Sequence, residues 1–270
     1  MPLEFLARRI GRPFVCAHRG FSSLAPENTI AAFDAAWSAG AEFIETDIRL
    51  TRDGHVVVIH DDSVDRTTDG TGLVRDKTLV EIKGLDAGKW RDARFSGERV
   101  PTLADVLEWC RGRLGLLIEI KDFPHRDTRL VDEAIRVIEA RQASEFVSLG
   151  SFDHITVAKI HRTRPHWSLH MNVHARLADP VHEAYAAGAG LICLEPEFFL
   201  ESDVQALHAA GVALHSPLPS PGHAAELLAW GVDILESDDV AMVAQVLGVP
   251  RRHLWSYVPA MRRGSDKGSR

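Results

Sequence analysis

The sequence is poor in cysteine, and it has no long apolar run. Its three cysteines, Cys16, Cys110 and Cys193, are odd in number and far apart in the chain. This usage favours reduced, buried thiols over a disulfide framework or a zinc site. No stretch approaches the roughly 18 apolar residues of a membrane helix, and charged side chains interrupt the first fifteen residues, so we expect no signal peptide. We therefore expect a cytoplasmic protein without a transmembrane segment.

Positive charge is also in short supply. The chain has 31 lysines and arginines against 38 aspartates and glutamates, which gives a formal net charge of -7. Non-specific nucleic-acid binding needs a basic face, so the composition argues against a nucleic-acid partner but allows a local basic pocket for one phosphate. Apolar residues make up 45% of the chain and charged residues 26%, which is typical of a globular protein with a large core.

A repeated order of helix, glycine and short apolar strand runs through the chain. Gly40, Gly188, Gly211 and Gly231 each follow an alanine-containing segment and precede an apolar run, as glycines at helix ends do. The whole order predicts eight parallel strands, at residues 14–17, 43–47, 116–120, 146–150, 167–171, 191–194, 212–215 and 233–236. Eight strand–helix units form a TIM (β/α)8 barrel. A doubly wound open sheet is the alternative, but no glycine-rich phosphate motif follows the first strand.

One segment interrupts this order after the second strand. Residues 51–101 are polar and rich in turns, with one short helical candidate near residues 79–82. Apolar residues are distributed along the segment, so we predict an ordered capping insertion that begins with a second hairpin strand at residues 55–60. We expect one barrel domain over residues 1–250, followed by a basic tail over residues 251–270 whose end is disordered.

Two carboxylates share one face of the second predicted strand. Glu45 and Asp47 are two residues apart, and the hairpin that follows returns His60 to their side. The C-terminal strand ends of a TIM barrel form one rim, where active sites are built, and Glu119 lies at the third strand end. Converging carboxylates repel one another unless a proton or a cation intervenes. All-oxygen ligands select Mg²⁺ or Ca²⁺ over zinc.

Other strand ends supply further candidates. His18 and Arg19 follow the first strand directly before a glycine, a combination that suits a site better than a core. Most of the fourteen histidines we expect to be structural. Rim or substrate contacts are expected from Asn172, Glu195 and His215, although a single strand-end residue specifies a role only weakly.

Three residues receive structural interpretations from the sequence. Asn28 precedes an apolar stripe of helical spacing, where asparagine commonly caps a helix. Cys16 and Cys193 lie in apolar strands, where a free cysteine behaves as a small apolar side chain. We therefore expect Asn28 to be a helix cap and the two cysteines to fill the core.

A series of short polar motifs lies between residues 14 and 122. In chain order they are His18-Arg19-Gly20, Pro26-Glu27-Asn28-Thr29, Glu45-Thr46-Asp47, His60-Asp61, Asp65-Arg66-Thr67-Thr68, Gly70-Thr71-Gly72, Pro101-Thr102-Leu103 and Glu119-Ile120-Lys121. Each motif alone is weak, but the set in this order is specific, and it resembles the glycerophosphodiester phosphodiesterase family. Beyond residue 122 the resemblance rests on the barrel order and on Ser151-Phe152-Asp153.

The resemblance implies hydrolysis of a glycerophosphodiester to sn-glycerol 3-phosphate and an alcohol, with one divalent metal ion, Mg²⁺ or Ca²⁺. The matching residues are the acid–base pair His18 and His60, the metal ligands Glu45, Asp47 and Glu119, and the phosphate-binding Arg19 and Lys121. The family's insertion after the second strand, which partly caps the site, corresponds to residues 51–101. These roles agree with the rim candidates found from the residues themselves.

The last two strands depart from the family pattern. Members commonly carry Trp-Thr-Val-Asn at the seventh strand and Thr-Asp at the eighth, where this chain has Leu214-His215-Ser216-Pro217 and Glu236-Ser237-Asp238. The wall that would face the alcohol is therefore altered. One alternative is a lysophospholipase D-like or other phosphodiesterase with a bulkier substrate, and another is a non-catalytic barrel that binds phosphodiesters. The expected partner is a small phosphodiester, and a homo-oligomer is compatible with the sequence.

Overall fold

Nine strands form one sheet, and eight of them close into a parallel barrel. The structure, a computed structural model, describes residues 11–121 and 128–253. The strands are β1 (Phe14–Ala17), β2 (Phe43–Leu50), β3 (Val56–Val58), β4 (Gly115–Ile120), β5 (Val147–Ser151), β6 (Ser168–Val173), β7 (Leu191–Leu194), β8 (Ala213–Pro217) and β9 (Ile234–Ser237). They pair in the order β1-β9-β8-β7-β6-β5-β4-β2-β3, and a β1–β2 pairing closes the ring. The predicted TIM barrel is confirmed.

A helix follows each barrel strand in the described residues, and one further helix lies in the insertion. The helices are α1 (Ile30–Ala39), α2 (Leu79–Gly84), α3 (Leu103–Cys110), α4 (Thr128–Ala140), α5 (His154–Thr163), α6 (Pro180–Ala187), α7 (Glu201–Ala209), α8 (Ala224–Trp230) and α9 (Val240–Val246). Gly40, Gly188 and Gly231 cap α1, α6 and α8 in the left-handed conformation, as predicted. Gly211 is also left-handed, with a φ of +74°, and it directly follows Ala210, the cap of α7.

The barrel interior changes from apolar to polar along its strands. Strand side chains alternate between the two faces of a sheet, so every second residue points toward the barrel axis. Phe14, Phe43, Leu117, Leu191 and Ile234 form a buried apolar cluster there. Nearer the C-terminal strand ends, the inward residues become polar. Asp47 and Glu119 are direct partners in the β2–β4 register, so the pairing of these strands places two predicted ligands side by side.

The insertion after β2 has a small core of its own. β2 continues to Leu50, beyond the predicted end at residue 47, and β3 pairs with it antiparallel. The buried apolar side chains of the insertion pack together, and they are Val57, Ile59, Val64, Val74, Ile82, Ala87 and Val100. Because β3 ends at Val58, His60 lies past the ladder rather than on it. The Ile59 N–H donates to the Asp47 carbonyl oxygen at 3.0 Å, which holds the segment bearing His60 against β2.

The remaining predictions about organisation concern the chain ends. In the described part of the chain, no helix combines the length and apolar character needed to cross a membrane. The basic tail predicted from residue 251 lies outside the described residues after residue 253. The single domain over residues 1–250 stays a prediction.

Candidate active site

A cavity of about 770 Å³ opens at the C-terminal ends of the barrel strands. It is lined by all of the predicted site residues but one, namely His18, Arg19, Glu45, His60, Glu119, Lys121, Asn172, Glu195 and His215. The exception is Asp47, which is 1% exposed and contacts Arg19 and Lys121. The structure therefore brings the predicted residues together, and their individual roles stay predictions.

Glu45, Asp47 and Glu119 form a buried carboxylate cluster. One oxygen from each lies within 4.8 Å of the others, and none of the three residues is more than 8% exposed. Burial, reinforced by the charge of Asp47, raises the pKa of Glu45 well above its ordinary value. Burial also raises the pKa of Glu119 despite the attraction of Lys121. Carboxylates this close favour a cation among them, and their oxygens suit a hard divalent ion.

Lys121 and Arg19 supply the positive charge beside this cluster. Lys121 Nζ lies 2.5 Å from Glu119 Oε1 and 3.2 Å from Asp47 Oδ1. Arg19 Nε lies 3.3 Å from Asp47 Oδ2, and the Arg19 backbone N–H donates to Glu45 Oε2 at 3.1 Å. Burial opposes ionisation of Asp47, but the two cations hold its pKa below the ordinary value. Lys121 and Arg19 therefore bind the rim carboxylates and also face the cavity.

The turn that carries Arg19 is conformationally unusual. Arg19 has a φ of +54° and Gly20 a φ of +83°, and a side chain at residue 20 would meet the Ala32 Cβ at 2.7 Å. Only glycine fits that position. A non-glycine residue in the left-handed region costs on the order of 1–3 kcal/mol and often marks a functional site. Here the left-handed Arg19 directs its backbone N–H at Glu45.

Asn28 is a site residue that the sequence analysis assigned wrongly. The cap of α1 is Thr29, whose Oγ1 accepts from the Ala32 N–H at 3.3 Å. Asn28 instead has a φ of +56°, and its Nδ2 donates to Asp47 Oδ2 at 2.9 Å. The Thr46 hydroxyl donates to Asn28 Oδ1 at 2.6 Å, which fixes the amide orientation. Asparagine adopts the left-handed region more readily than most residues, and this preference was the sequence signal for the conformation that Asn28 adopts.

His18 is held by a carboxylate from the last strand end. Its Nδ1 lies 2.7 Å from Asp238 Oδ1, and the Ser22 hydroxyl donates to the same oxygen at 2.7 Å. Burial alone would lower the histidine pKa, but the Asp238 hydrogen bond and the charges of Glu236 and Glu45 raise it to about 9. The imidazole is therefore protonated at neutral pH and keeps Nε2 for the cavity.

His60 is held by a different chain of charges. Its Nδ1 lies 2.8 Å from Asp61 Oδ1, and the Arg66 guanidinium binds both Asp61 and Glu27. A Glu27 oxygen also accepts a hydrogen bond from the Arg19 guanidinium at 3.0 Å. One network of charged side chains therefore connects His60 with Arg19. Burial lowers the pKa of His60, with Lys121 and Arg19 adding to the effect. Burial therefore favours the neutral imidazole of His60.

The opposite side of the cavity carries the remaining candidates. Asn172 is 9% exposed, and Glu195 Oε1 lies 3.2 Å from His174 Nδ1. His215 is buried, with Nδ1 2.8 Å from Cys193 Sγ and Nε2 3.3 Å from Glu236 Oε2. The structural interpretation of the two cysteines was incomplete. Both lie in strands as predicted, but Cys16 Sγ also contacts Glu236 Oε2 at 3.5 Å, so they border a polar cluster.

The glycerophosphoryl diester phosphodiesterase family model matches residues 18–242 of this chain. A glycerophosphodiester phosphodiesterase of Caldanaerobacter subterraneus subsp. tengcongensis is 42% identical over 189 residues, covering 70% of this chain and 77% of that protein. Another from Bacillus subtilis is 31% identical over 244 residues and covers 82% of each protein. The match thus extends well past the dense motifs of the N-terminal half.

Solved structures give the same result at the level of the fold. An Oleispira antarctica phosphodiesterase, solved with the product sn-glycerol-3-phosphate, is 28% identical with a TM-score of 0.82, covering 88% of this chain and 98% of that one. A glycerophosphodiester phosphodiesterase from Agrobacterium tumefaciens is 29% identical with a TM-score of 0.75, covering 86% and 99%. With the family model spanning most of the barrel, this chain belongs to the glycerophosphoryl diester phosphodiesterase family.

Proposed function

We propose that this enzyme hydrolyses glycerophosphodiesters to sn-glycerol 3-phosphate and an alcohol, using two histidines and one divalent metal ion. The observation that carries the proposal is the pairing of His18 and His60 in one cavity with opposite pKa shifts. Each imidazole has its Nδ1 on a carboxylate, which leaves Nε2 for proton transfer. Groups whose environments drive their pKa values apart are suited to be an acid and a base.

The two histidines then take different roles. Protonated His18 donates its Nε2 proton to the oxygen of the departing alcohol, which would otherwise leave as an unstable alkoxide. Neutral His60 accepts the proton of the attacking oxygen nucleophile. Asp238 and Asp61 hold the rings and select the tautomers, as a carboxylate behind a catalytic imidazole does. The arrangement supports general acid–base catalysis by the two histidines.

The donor set of Glu45, Asp47 and Glu119 fits Mg²⁺ or Ca²⁺. All three groups are buried carboxylates within ligand reach of one another, and Asn28 orients one of them from behind. A dication held there would supply positive charge for the phosphoryl oxygens. That charge would also offset the carboxylates, which otherwise repel an anionic substrate.

Lys121 and Arg19 are the proposed phosphate contacts. Both line the cavity, and burial opposes their charge, but the rim carboxylates raise the pKa of each. They therefore remain cationic when water is excluded. Preorganised cations at a developing phosphoryl charge stabilise the transition state more than they stabilise the ground state.

The relatives support the same substrate class. Two proteins that align over most of their length are named glycerophosphodiester phosphodiesterases, and the Oleispira antarctica structure contains sn-glycerol-3-phosphate. The matching region here includes both histidines and all three carboxylates, because it spans residues 18–242. A non-catalytic barrel would be expected to lack one of these five groups.

Release of sn-glycerol 3-phosphate from glycerophosphocholine tests the proposal. We expect activity to be lost after treatment with EDTA and restored by Mg²⁺ or Ca²⁺. We expect His18→Ala and His60→Ala each to reduce kcat by about 10²–10⁴-fold, the usual range for an acid–base group. Activity that ignores the chelator and both substitutions would contradict the mechanism.

A bulkier substrate, such as a lysophospholipid, is the second candidate, and one observation favours it. Phe152 lines the cavity although it is 52% exposed, and Val173, Leu194 and Leu218 add apolar surface nearby. An apolar patch beside a phosphate site can bind an acyl or aromatic group by burial. Comparing lysophosphatidylcholine with glycerophosphocholine tests this candidate, since a higher kcat/KM for the lysolipid would establish it.

A further inference from the structure

A second group of possible metal ligands lies inside the barrel, apart from the carboxylate cluster. Cys16 on β1, His215 on β8 and Glu236 on β9 each offer a donor atom, and the three atoms lie within 4.8 Å of one another. Cys16 Sγ is 3.5 Å from Glu236 Oε2, and His215 Nε2 is 3.3 Å from the same oxygen. Donor atoms about 2.0–2.3 Å from a tetrahedral zinc lie roughly 3.3–3.8 Å apart. The two distances to Glu236 lie within this range, and the third pair of donors is no more than 4.8 Å apart.

The buried ring nitrogen of His215 points to a ligand independently of this spacing. The His215 side chain is 4% exposed, and its Nε2 makes no hydrogen bond to any part of the chain that the structure describes. A buried polar atom without a hydrogen bond is costly and calls for an explanation. The nearest charged oxygen, on Glu236, lies in ion-pair range without the geometry of a hydrogen bond. A metal ion bound to both His215 Nε2 and Glu236 Oε2 would give each atom a partner.

We propose that Cys16, His215 and Glu236 bind a divalent transition ion of the zinc class, as a site separate from the carboxylate cluster. Thiolate and imidazole donors favour Zn²⁺ over Mg²⁺ and Ca²⁺, whereas three carboxylates favour the reverse. Three protein ligands leave a fourth position for water or another group. No sequence pattern indicates a zinc site here, because these ligands are spread over 220 residues of the chain.

Charge balance also allows a dication at this buried place. A metal ion binds cysteine as the thiolate and histidine as the neutral imidazole. The thiolate of Cys16 and the carboxylate of Glu236 would then carry two negative charges, which balance the two positive charges of the ion. The ion therefore enters without placing an uncompensated charge in the barrel.

Cobalt(II) is the probe that reports on the thiolate directly. With Mg²⁺ in excess to occupy the carboxylate cluster, titration of the full-length protein with Co²⁺ should produce a thiolate-to-cobalt charge-transfer band that saturates at about one equivalent. Zn²⁺ should abolish the band by competition and release protons as the thiolate forms. Cys16→Ser should remove the band. Cys110→Ser is the matched control, because Cys110 is equally buried but lies in α3, and it should leave the band unchanged.

Two further variants keep the test decisive if Cys16→Ser does not fold. His215→Asn and Glu236→Gln, each confirmed to be folded by circular dichroism, should weaken Co²⁺ binding by at least tenfold, as the loss of a metal ligand does. If the wild-type protein gives no charge-transfer band, the proposal is overturned, and the contact between His215 and Glu236 is an ion pair only. A band that survives Cys16→Ser but is lost in Cys193→Ser would also overturn it, because the thiolate would then belong to β7.

Discussion

The two walls of the cavity differ in chemistry. The first, here called the charged wall, is built by residues of β9 and of β1 through β4, and by those that follow these strands. It carries His18, Arg19, Glu45, Glu119, Lys121 and Asp238. The facing wall, here called the mixed wall, is built by residues of β5 through β8 and by those that follow these strands. It carries Phe152, Asn172, Val173, Leu194 and Leu218. Among the described residues that line the cavity, both cations and all carboxylates except Glu195 lie on the charged wall, while the mixed wall combines apolar side chains with histidines.

The difference separates reaction class from substrate choice. The charged wall contains every group that the proposed phosphoryl chemistry uses. Those groups hold one another in place through direct hydrogen bonds, such as the contact of Arg19 with Glu45. The mixed wall approaches these groups at Lys121, whose ammonium lies 5.9 Å from the Phe152 ring centroid. Substitutions in the charged wall should therefore affect all diesters of aliphatic alcohols alike, and those in the mixed wall should affect some of these substrates more than others.

The largest effect is expected from Glu45→Gln. Removing one of three carboxylate charges should reduce kcat by about 10³-fold or more, because a metal ion contributes several kcal/mol to phosphoryl transfer. A raised Mg²⁺ concentration should restore part of the loss. Measurement of kcat against metal concentration checks this, with Glu183→Gln on the exposed side of α6 as the control. An unchanged kcat for Glu45→Gln would show that this carboxylate does not bind the catalytic metal ion.

The next effect separates the acid from the base. His18→Ala should lower kcat by about 10²–10⁴-fold for an aliphatic diester, but much less for a p-nitrophenyl diester, whose leaving group needs no proton. His60→Ala should lower kcat for both substrates by similar factors, because the attacking nucleophile is the same. Comparing the two substrates for both variants measures this. The reverse pattern would exchange the two assigned roles.

A smaller effect is expected from Asp238→Asn, which loosens the charged wall at His18. The pKa of His18 is raised to about 9, so the proton needed by the leaving group is lost as the pH rises through that value. Loss of Asp238 lowers this pKa and should shift the alkaline limb of kcat to lower pH, with about a 10–100-fold loss of rate. Below neutral pH the acid limb belongs to His60, whose pKa is lowered, and it should not move.

Ser22→Ala serves as the milder comparison for that experiment. Ser22 donates to the same Asp238 oxygen but leaves the hydrogen bond between Asp238 and His18 in place. The alkaline limb of the kcat–pH profile should shift less in Ser22→Ala than in Asp238→Asn. Equal shifts for the two variants would show that Asp238 does not act through His18.

The smallest effect is expected from the mixed wall. Phe152→Ala should change kcat/KM for glycerophosphocholine by less than about tenfold, because the phosphoryl groups remain intact. The preference between a small and an apolar alcohol should change by the equivalent of about 1–3 kcal/mol, the usual value of one apolar contact. Kinetics on paired substrates checks this. A uniform loss on every substrate would place Phe152 with the charged wall.

The barrel and most of the charged wall were predictable because their signals are local. A strand end followed by a polar residue identifies His18, and two carboxylates on an apolar strand identify Glu45 and Asp47. The position of Asp238 behind His18 was not predictable, because the two residues are 220 positions apart and meet only when β9 pairs with β1. The same closure creates the group of Cys16, His215 and Glu236.

Asn28 shows a second reason why sequence analysis was incomplete. Its location before a helix predicts a cap, and that local preference was overridden by hydrogen bonds to Asp47 and Thr46 from the neighbouring strand. A buried carboxylate gains more from an oriented amide donor than a solvent-accessible helix end does. Thr29 caps the N-terminus of α1 instead. Tertiary hydrogen bonding thus decided between two roles that the sequence alone could not separate.

The most direct test of the account is kcat/KM for three glycerophosphodiesters that differ only in an aliphatic alcohol: choline, ethanolamine and glycerol. The measurement compares the wild-type protein with His18→Ala and Phe152→Ala. The account predicts that His18→Ala lowers all three values by the same factor, while Phe152→Ala changes their ratios and keeps the largest within about tenfold of wild type. Altered ratios in His18→Ala, or a uniform loss in Phe152→Ala, would contradict the division between the two walls.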